Sequence, residues 1–280
     1  MYESLFNNVW SHYTGAIPQT MAMLKKAISA GPVDDATRAG LPVKREGSTA
    51  IISMKGPMIK DAGIWSYFGF AGSRDTAQAL ESAAADKDIE SILWVVDSPG
   101  GSVDGLIELA DTVKAVNAVK PITVQVDGMM ASAAVYVTAG ASRIYAGRRD
   151  LVGSIGTRMM LYDFSEMFKS EGIKAIPIDT GEHKSAGAMG TEITEEQQAE
   201  FQRIVDGYFA DFKEQLVSGR GLTDETFDKL ADGRVFFANE EPMEYGLIDG
   251  IQSIQQTINQ MVAPSQRRQT AQAKLKLLSL

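Results

Sequence analysis

The chain has no cysteine and only two histidines, His12 and His183, among its 280 residues. The first absence excludes disulfides, thiolate metal sites and a cysteine nucleophile. The second leaves too few imidazoles for a histidine-rich metal centre, and any Ser-His-Asp triad would have to use one of the two. Positive charge is also in deficit. With 27 Lys and Arg against 36 Asp and Glu, the formal net charge is −9, which argues against a nucleic-acid partner because phosphate contacts need clustered Lys and Arg. No run of 18 apolar residues occurs, and the opening M-Y-E-S-L-F-N-N-V-W lacks the basic and then apolar order of a secretory leader. These absences predict a cytoplasmic chain without a membrane segment. No motif calls for a cofactor or a metal.

With 44% hydrophobic and 22% charged residues, the chain is expected to fold around a substantial core. Residues 1–47 read as a helical extension, with an amphipathic helix near Gln19–Ala30 placed between Pro18 and Gly31-Pro32. Residues 48–263 read as a single domain. In it, strands at Thr49–Met54, Ser91–Asp97, Pro121–Val126 and Arg143–Ala146 alternate with helices at Arg74–Ala85, Val103–Asn117 and Ala131–Ala139. S-I-L-W-V-V-D and P-I-T-V-Q-V-D are apolar almost throughout, as strands are when helices cover both sheet faces. The expected fold class is therefore α/β, a succession of βαβ units with a mainly parallel sheet flanked by helices. Further strands are predicted at Met159–Phe164 and Ile173–Ile178 around a helix at Ser165–Ser170. A long helix is predicted after Thr194–Glu196, its Phe201, Ile204, Val205, Tyr208, Phe209, Phe212 and Leu216 forming a core or subunit-contact stripe. Residues 264–280 carry four basic and no acidic side chains and read as a mobile tail.

Parallel strands deliver their loops to one sheet edge, where ligands bind in open α/β folds. Two strand exits stand out. In V-V-D-S-P-G-G-S-V, Val95–Val103, the proline sets a turn and Gly100 and Gly101 allow bare backbone to approach a ligand. In D-G-M-M-A-S-A-A-V-Y, Asp127–Tyr136, Ser132 opens a helix, a position that suits a cap and equally a nucleophile, because helix N–H groups stabilise negative charge on oxygen. A serine hydroxyl needs a base. His183 and Lys184 are adjacent in D-T-G-E-H-K-S-A-G, Asp179–Gly187. A lysine amine stripped of water can also take a proton, and composition leaves both residues open.

Five segments taken in order resemble the signal peptide peptidase A family of serine peptidases, including the prohead or capsid maturation proteases of tailed phages. They are D-S-P-G-G at Asp97–Gly101, D-G-M-M-A-S-A-A-V-Y, L-V-G-S-I-G-T at Leu151–Thr157, G-E-H-K-S-A-G at Gly181–Gly187, and D-G-R-V-F-F-A-N-E-E-P-M-E-Y-G-L-I-D at Asp232–Asp249, with Lys184 lying 52 residues after Ser132. The resemblance spans about Thr49 to Ile251 and implies a Clp protease/crotonase-like spiral. It assigns Ser132 as nucleophile, Lys184 as general base, Ser154 as the residue that orients the lysine, and the N–H groups of Gly101 and Ala133 as oxyanion donors. It also implies polypeptide substrates and a homo-oligomer. Ala133-Ala134 replaces the Gly-Gly common in cellular members and no spanning helix precedes the domain; both departures point to a phage or prophage head protease cleaving scaffold and capsid proteins in the host cytoplasm or procapsid. A signal-peptide-degrading bacterial enzyme and an inactive scaffold or chaperone of the same fold are the alternatives. A crotonase-type acyl-CoA enzyme is a further rival that would need neither Ser132 nor Lys184.

Overall fold

The computed structural model describes residues 10–12, 20–23, 25–26 and 41–262. Residues 20–23 and 25–26 are helical, within the predicted Gln19–Ala30; the rest of that helix and the basic tail lie outside the described residues. The chain divides into two compact units, one of Met1–Trp10 with Thr157–Asp211 and the other of Ser11–Gly156 with Phe212–Leu280.

The larger unit holds the sheet that the apolar runs predict. After strands β1 (Trp10–His12) and β2 (Lys44–Glu46) come β3 (Thr49–Lys55), β4 (Met58–Ile59), β5 (Ala71–Gly72), helix α1 (Ser73–Ala85), β6 (Ser91–Ser98), β7 (Gly100–Ser102), helix α2 (Leu106–Val119), β8 (Ile122–Ala131), helix α3 (Ala133–Thr138), β9 (Arg143–Ala146) and β10 (Leu151–Gly153). β3, β6 and β8 run parallel at the centre. β8 pairs in parallel with β9 over Thr123–Gln125 and then with β10 over Met129–Ala131, so its outer edge serves two strands in succession. A smaller sheet sets β4 between β5 and β7.

Helices α1 and α2 each bury one stripe, Thr76, Ala79, Leu80 and Ala83 in the first and Leu106, Leu109, Ala110, Val113 and Val116 in the second, the spacing that puts side chains on a single helix face. Ile52, Met54, Trp94, Leu93, Ile122 and Val124 are fully buried in the central strands. Each such side chain contributes roughly 1.5–3 kcal/mol by leaving water. Trp94 buries its indole Nε1 with no hydrogen-bond partner among the described residues.

Helix α4 (Ser165–Ser170) forms as predicted, in the smaller unit. The strands predicted on either side of it do not: residues 159–164 and 173–178 have no ladder. Met159 and Leu161 instead line a cavity of about 390 Å³ with Phe201 and Val205, while Tyr162, Ile173, Ile176 and Ile178 face out, the last 95% exposed. Alternating hydrophobicity marks a half-buried segment, but a strand also needs an edge to pair with, and neither segment pairs with one. Helix α5 (Glu195–Arg220) begins with a reciprocal capping box, the Gln197 N–H donating to Thr194 Oγ1 at 3.2 Å and the Thr194 N–H to Gln197 Oε1 at 3.4 Å. Its first part belongs to the smaller unit. From Phe212 onward it lies in the larger, where Phe212 and Leu216 are buried and Phe212 meets Tyr136 edge-on at 5.4 Å. The chain then closes through α6 (Asp224–Leu230), β11 (Val235–Phe237), α7 (Glu240–Glu244), β12 (Gly250–Ile251) and α8 over residues 254–262. Arg220, 7% exposed at its side chain, donates to Asp249 Oδ2 at 2.9 Å, and the same oxygen accepts the Ile144 N–H at 2.7 Å.

Candidate active site

Ser132 sits between β8 and α3 in a backbone conformation few serines adopt, with φ 54° and ψ −116°. The helix does not begin at Ala131, as the residue pattern suggests: β8 runs through Asp127-Gly128 to Ala131, and Ser132 is the junction residue. Its N–H donates to Gly153 O at 2.8 Å, extending the β8–β10 ladder by one rung, and its carbonyl accepts the Tyr136 N–H at 3.1 Å to start the helix. The hydroxyl is buried and lies 3.4 Å from Gly156 O.

All six residues of α3 are buried. The alanines after Ser132 therefore have a packing reason: a helix enclosed on every side accepts only small groups where backbone comes close. One element packed on it is β7, which carries Gly101. Gly101 is paired with Met58, and a Cβ there would lie 2.0 Å from Met58 O. Gly100 takes φ +93°, and its N–H donates to Ser98 Oγ at 3.2 Å while that hydroxyl donates to Gly56 O at 2.7 Å. The larger unit thus contains Gly101, Ser132, Ala133 and Ser154 together, all buried. Ser154 repeats the unusual geometry of Ser132, with φ 52° and its N–H donating to Arg234 O at 2.6 Å.

Lys184 belongs to the smaller unit. It is exposed, in a run of turns where its N–H donates to Gly181 O at 3.0 Å and Ala186 N–H to His183 O at 3.2 Å. The desolvated amine expected from the sequence is therefore not a feature of the single chain. His183 Nε2 lies 3.4 Å from Glu182 Oε1. With Glu196 these two bring possible ligand atoms within 4.8 Å of one another, all on exposed side chains.

Three aspartates lie on or beside the strand that leads to Ser132, Asp127 within β8 itself. Asp97 is the last residue but one of β6 and Asp150 precedes β10, and both carboxyls are held above the ordinary aspartate range, chiefly because they are partly buried. For Asp97 the Lys55 charge opposes that rise, and Asp127 and Asp150 add to it. Asp127 pairs with Lys55 at 3.2 Å. Of these, only Asp97 and Asp127 are visible in the motifs; Asp150 carries no local signal.

The family model for peptidase family S49 matches residues 114–267, more than half of the chain and including Ser132, Ser154 and Lys184. The chain belongs to peptidase family S49. Among its relatives, a putative protease of Methanocaldococcus jannaschii is 33% identical over 172 residues, 61% of this chain and 55% of its own. Capsid assembly protease C of Escherichia phage lambda is 24% identical over 217 residues, 77% of this chain and 49% of its own. A putative signal peptide peptidase SppA of Enterococcus faecium is 28% identical over 176 residues, 61% of this chain and 50% of its own. The chain spans about half the length of these relatives. No helix among the described residues is long and apolar enough to cross a membrane.

Proposed function

We propose that this S49 chain is a serine endopeptidase in which Ser132 is the nucleophile and Lys184 the general base. Family membership supports the reaction class. The observation that carries the choice of nucleophile is the conformation of Ser132: a buried hydroxyl at a strand-to-helix junction with φ 54°, on a helix packed against the Gly100–Ser102 backbone. Strained, over-determined backbone of this kind concentrates at reactive residues. In the proposed reaction, Lys184 is stripped of water by bound substrate or by a neighbouring subunit and takes the Ser132 proton. The alkoxide adds to a peptide carbonyl, and the oxyanion is received by the N–H groups of Gly101 and Ala133, each such donor worth about 3–4 kcal/mol of barrier. The protonated lysine then returns its proton to the leaving amine, and water activated by the same amine releases the acyl group. Ser154 orients the lysine.

The finer reading is a head maturation protease acting on scaffold and capsid proteins. It is supported by Ala133-Ala134 after the serine and by the phage lambda alignment, which covers more of the chain than the archaeal or the Enterococcus alignment does. The higher identity of the archaeal relative supports the second reading, a cellular protease. Mass spectrometry after incubation tests both. The parent protein is expected to acquire one fluorophosphonate adduct at Ser132 and to cut added polypeptide, and Ser132→Ala and Lys184→Ala to do neither while keeping their circular dichroism. Full-rate cleavage by K184A removes lysine from the mechanism. Cleavage of signal peptides but not of capsid or scaffold components decides for the cellular reading. Sedimentation is expected to find an oligomer, and a fully active monomer contradicts that part.

A further inference from the structure

β6 and β8 pair in register from Ile92↔Ile122 to Val96↔Val126, and the next pair is Ser98↔Met130. Two steps along β6 therefore match four along β8, so Asp127–Met129 form a bulge of two extra residues. A bulge forfeits ladder bonds and re-aims the residues beyond it. Ser132 stands only two residues beyond Met130, within reach of that effect. The bulge also falls where the outer edge of β8 passes from β9 to β10, so Asp127 and Gly128 are held by neither of these ladders and Met129 is the first residue to pair with β10.

Two carboxylates replace the missing ladder bonds. Asp150 Oδ1 accepts the Gly128 N–H at 3.1 Å, and its Oδ2 accepts the Gly147 N–H at 2.6 Å, tying the bulge to the turn before β10. Asp97 accepts the Met129 N–H from the opposite side. The backbone between them calls for glycine: Gly128 has φ +118°, and a Cβ there would also push the Asp97 carboxyl, standing 2.8 Å from its Oδ1. The main chain of Asp150 is fixed independently, its carbonyl accepting the Ala238 N–H at 2.8 Å. From Asp150 the pairing continues without interruption through Leu151↔Met129, Val152↔Met130 and Gly153↔Ala131 to the Ser132 N–H on Gly153 O.

The geometry points to Asp150, with Asp97 opposite, as a positioning residue that sets the register of the β8–β10 ladder and through it the conformation of Ser132. Asp150 touches neither Ser132 nor the reacting atoms; it acts through four rungs of backbone. The inference rests on Ser132 being the nucleophile, and two measurements separate its failure from the failure of that reading.

The first is the rate of fluorophosphonate acylation of Ser132, per site able to react, in the parent, Asp150→Asn and Asp150→Ala. A side chain that merely supports the fold would lower the number of competent sites and leave the rate of each unchanged. Positioning lowers the rate itself, by about ten- to a hundredfold in D150A, and less in D150N, whose amide oxygen still accepts one of the two N–H groups. Equal per-site rates in parent and D150A overturn the inference while leaving the peptidase reading intact; a parent that is not acylated at all overturns the peptidase reading instead. The second measurement needs no activity. Amide hydrogen exchange in D150A is expected to speed up at Gly128 and also at Ser132, with the β3 and β6 amides unchanged. Unchanged exchange at Ser132 overturns the inference whatever the chemistry of the site.

Discussion

At the scale of the residue, Ser132 holds a positive φ that a side chain makes costly, and Gly101 holds a place that any side chain would contest. Their substitutions should respond in opposite directions. Ser132→Gly and Ser132→Ala both remove the hydroxyl, but only glycine is relieved at φ 54°. The glycine variant is therefore expected to be more stable than the alanine variant by about 1–2 kcal/mol in urea unfolding, both being inactive; equal midpoints would mean that the loop absorbs the strain. Gly101→Ala puts a methyl 2.0 Å from Met58 O. The β4–β7 pairing must open to admit it, and acylation at Ser132 is expected to fall at least a hundredfold, as for loss of an oxyanion donor. Asp97 makes a prediction in pH. Its carboxyl is raised by burial, aided by Asp127 and Asp150 and opposed by Lys55, so the folded chain binds this proton more tightly than the unfolded one. That contribution to stability is complete below the unfolded pKa and is lost as pH rises through the folded value. The Asp97→Asn variant keeps an oxygen for the Met129 N–H and has no proton to lose. Its melting temperature relative to the parent should therefore climb as pH increases from the ordinary aspartate range through the raised one, then level off; a difference independent of pH would contradict the burial argument.

At the scale of the element, the segments that sequence pattern identifies correctly are those whose period is set by their own neighbours on a sheet face or helix face. β3, β6 and the first half of β8 are apolar because helices cover them, and α1 and α2 show their stripes because each packs on one side only. The D-G-M-M-A-S-A-A segment stands out in the sequence as a strand exit, but the end of β8 does not, because a bulge supported by Asp150, more than 20 residues away, has no local period. Residues 159–164 and 173–178 carry strand-like hydrophobicity without a strand to accept them. Helix α5 was legible from its cap and its aromatics, but not that burial is confined to its later turns. Phe212→Ala, 1% exposed and seated on Tyr136, is expected to cost about 3–5 kcal/mol. Phe201→Ala, only half-buried, should cost much less, and comparable losses in thermal unfolding would mean that the stripe is covered along its whole length.

At the scale of the whole molecule, the chain leaves the larger unit at Thr157 and returns at Phe212. The excursion between them holds Lys184 and much of the exposed apolar surface, including Ile173, Ile176 and Ile178. Within residues 41–262, limited trypsin digestion is expected to cut first after Lys174 and Lys184, both exposed and outside regular structure, leaving the sheet unit folded; first cuts within β3, β6 or β8 would contradict that order. One feature of the sheet supplies the means to watch it. Trp94 is enclosed in the middle strand without a polar partner among the described residues, three residues before Asp97 on the strand that faces the bulge. Its emission should be short in wavelength and poorly quenched by iodide or acrylamide, so that, with Trp10 and Trp65 replaced by phenylalanine, the chain carries an intrinsic optical gauge of the floor beneath Ser132.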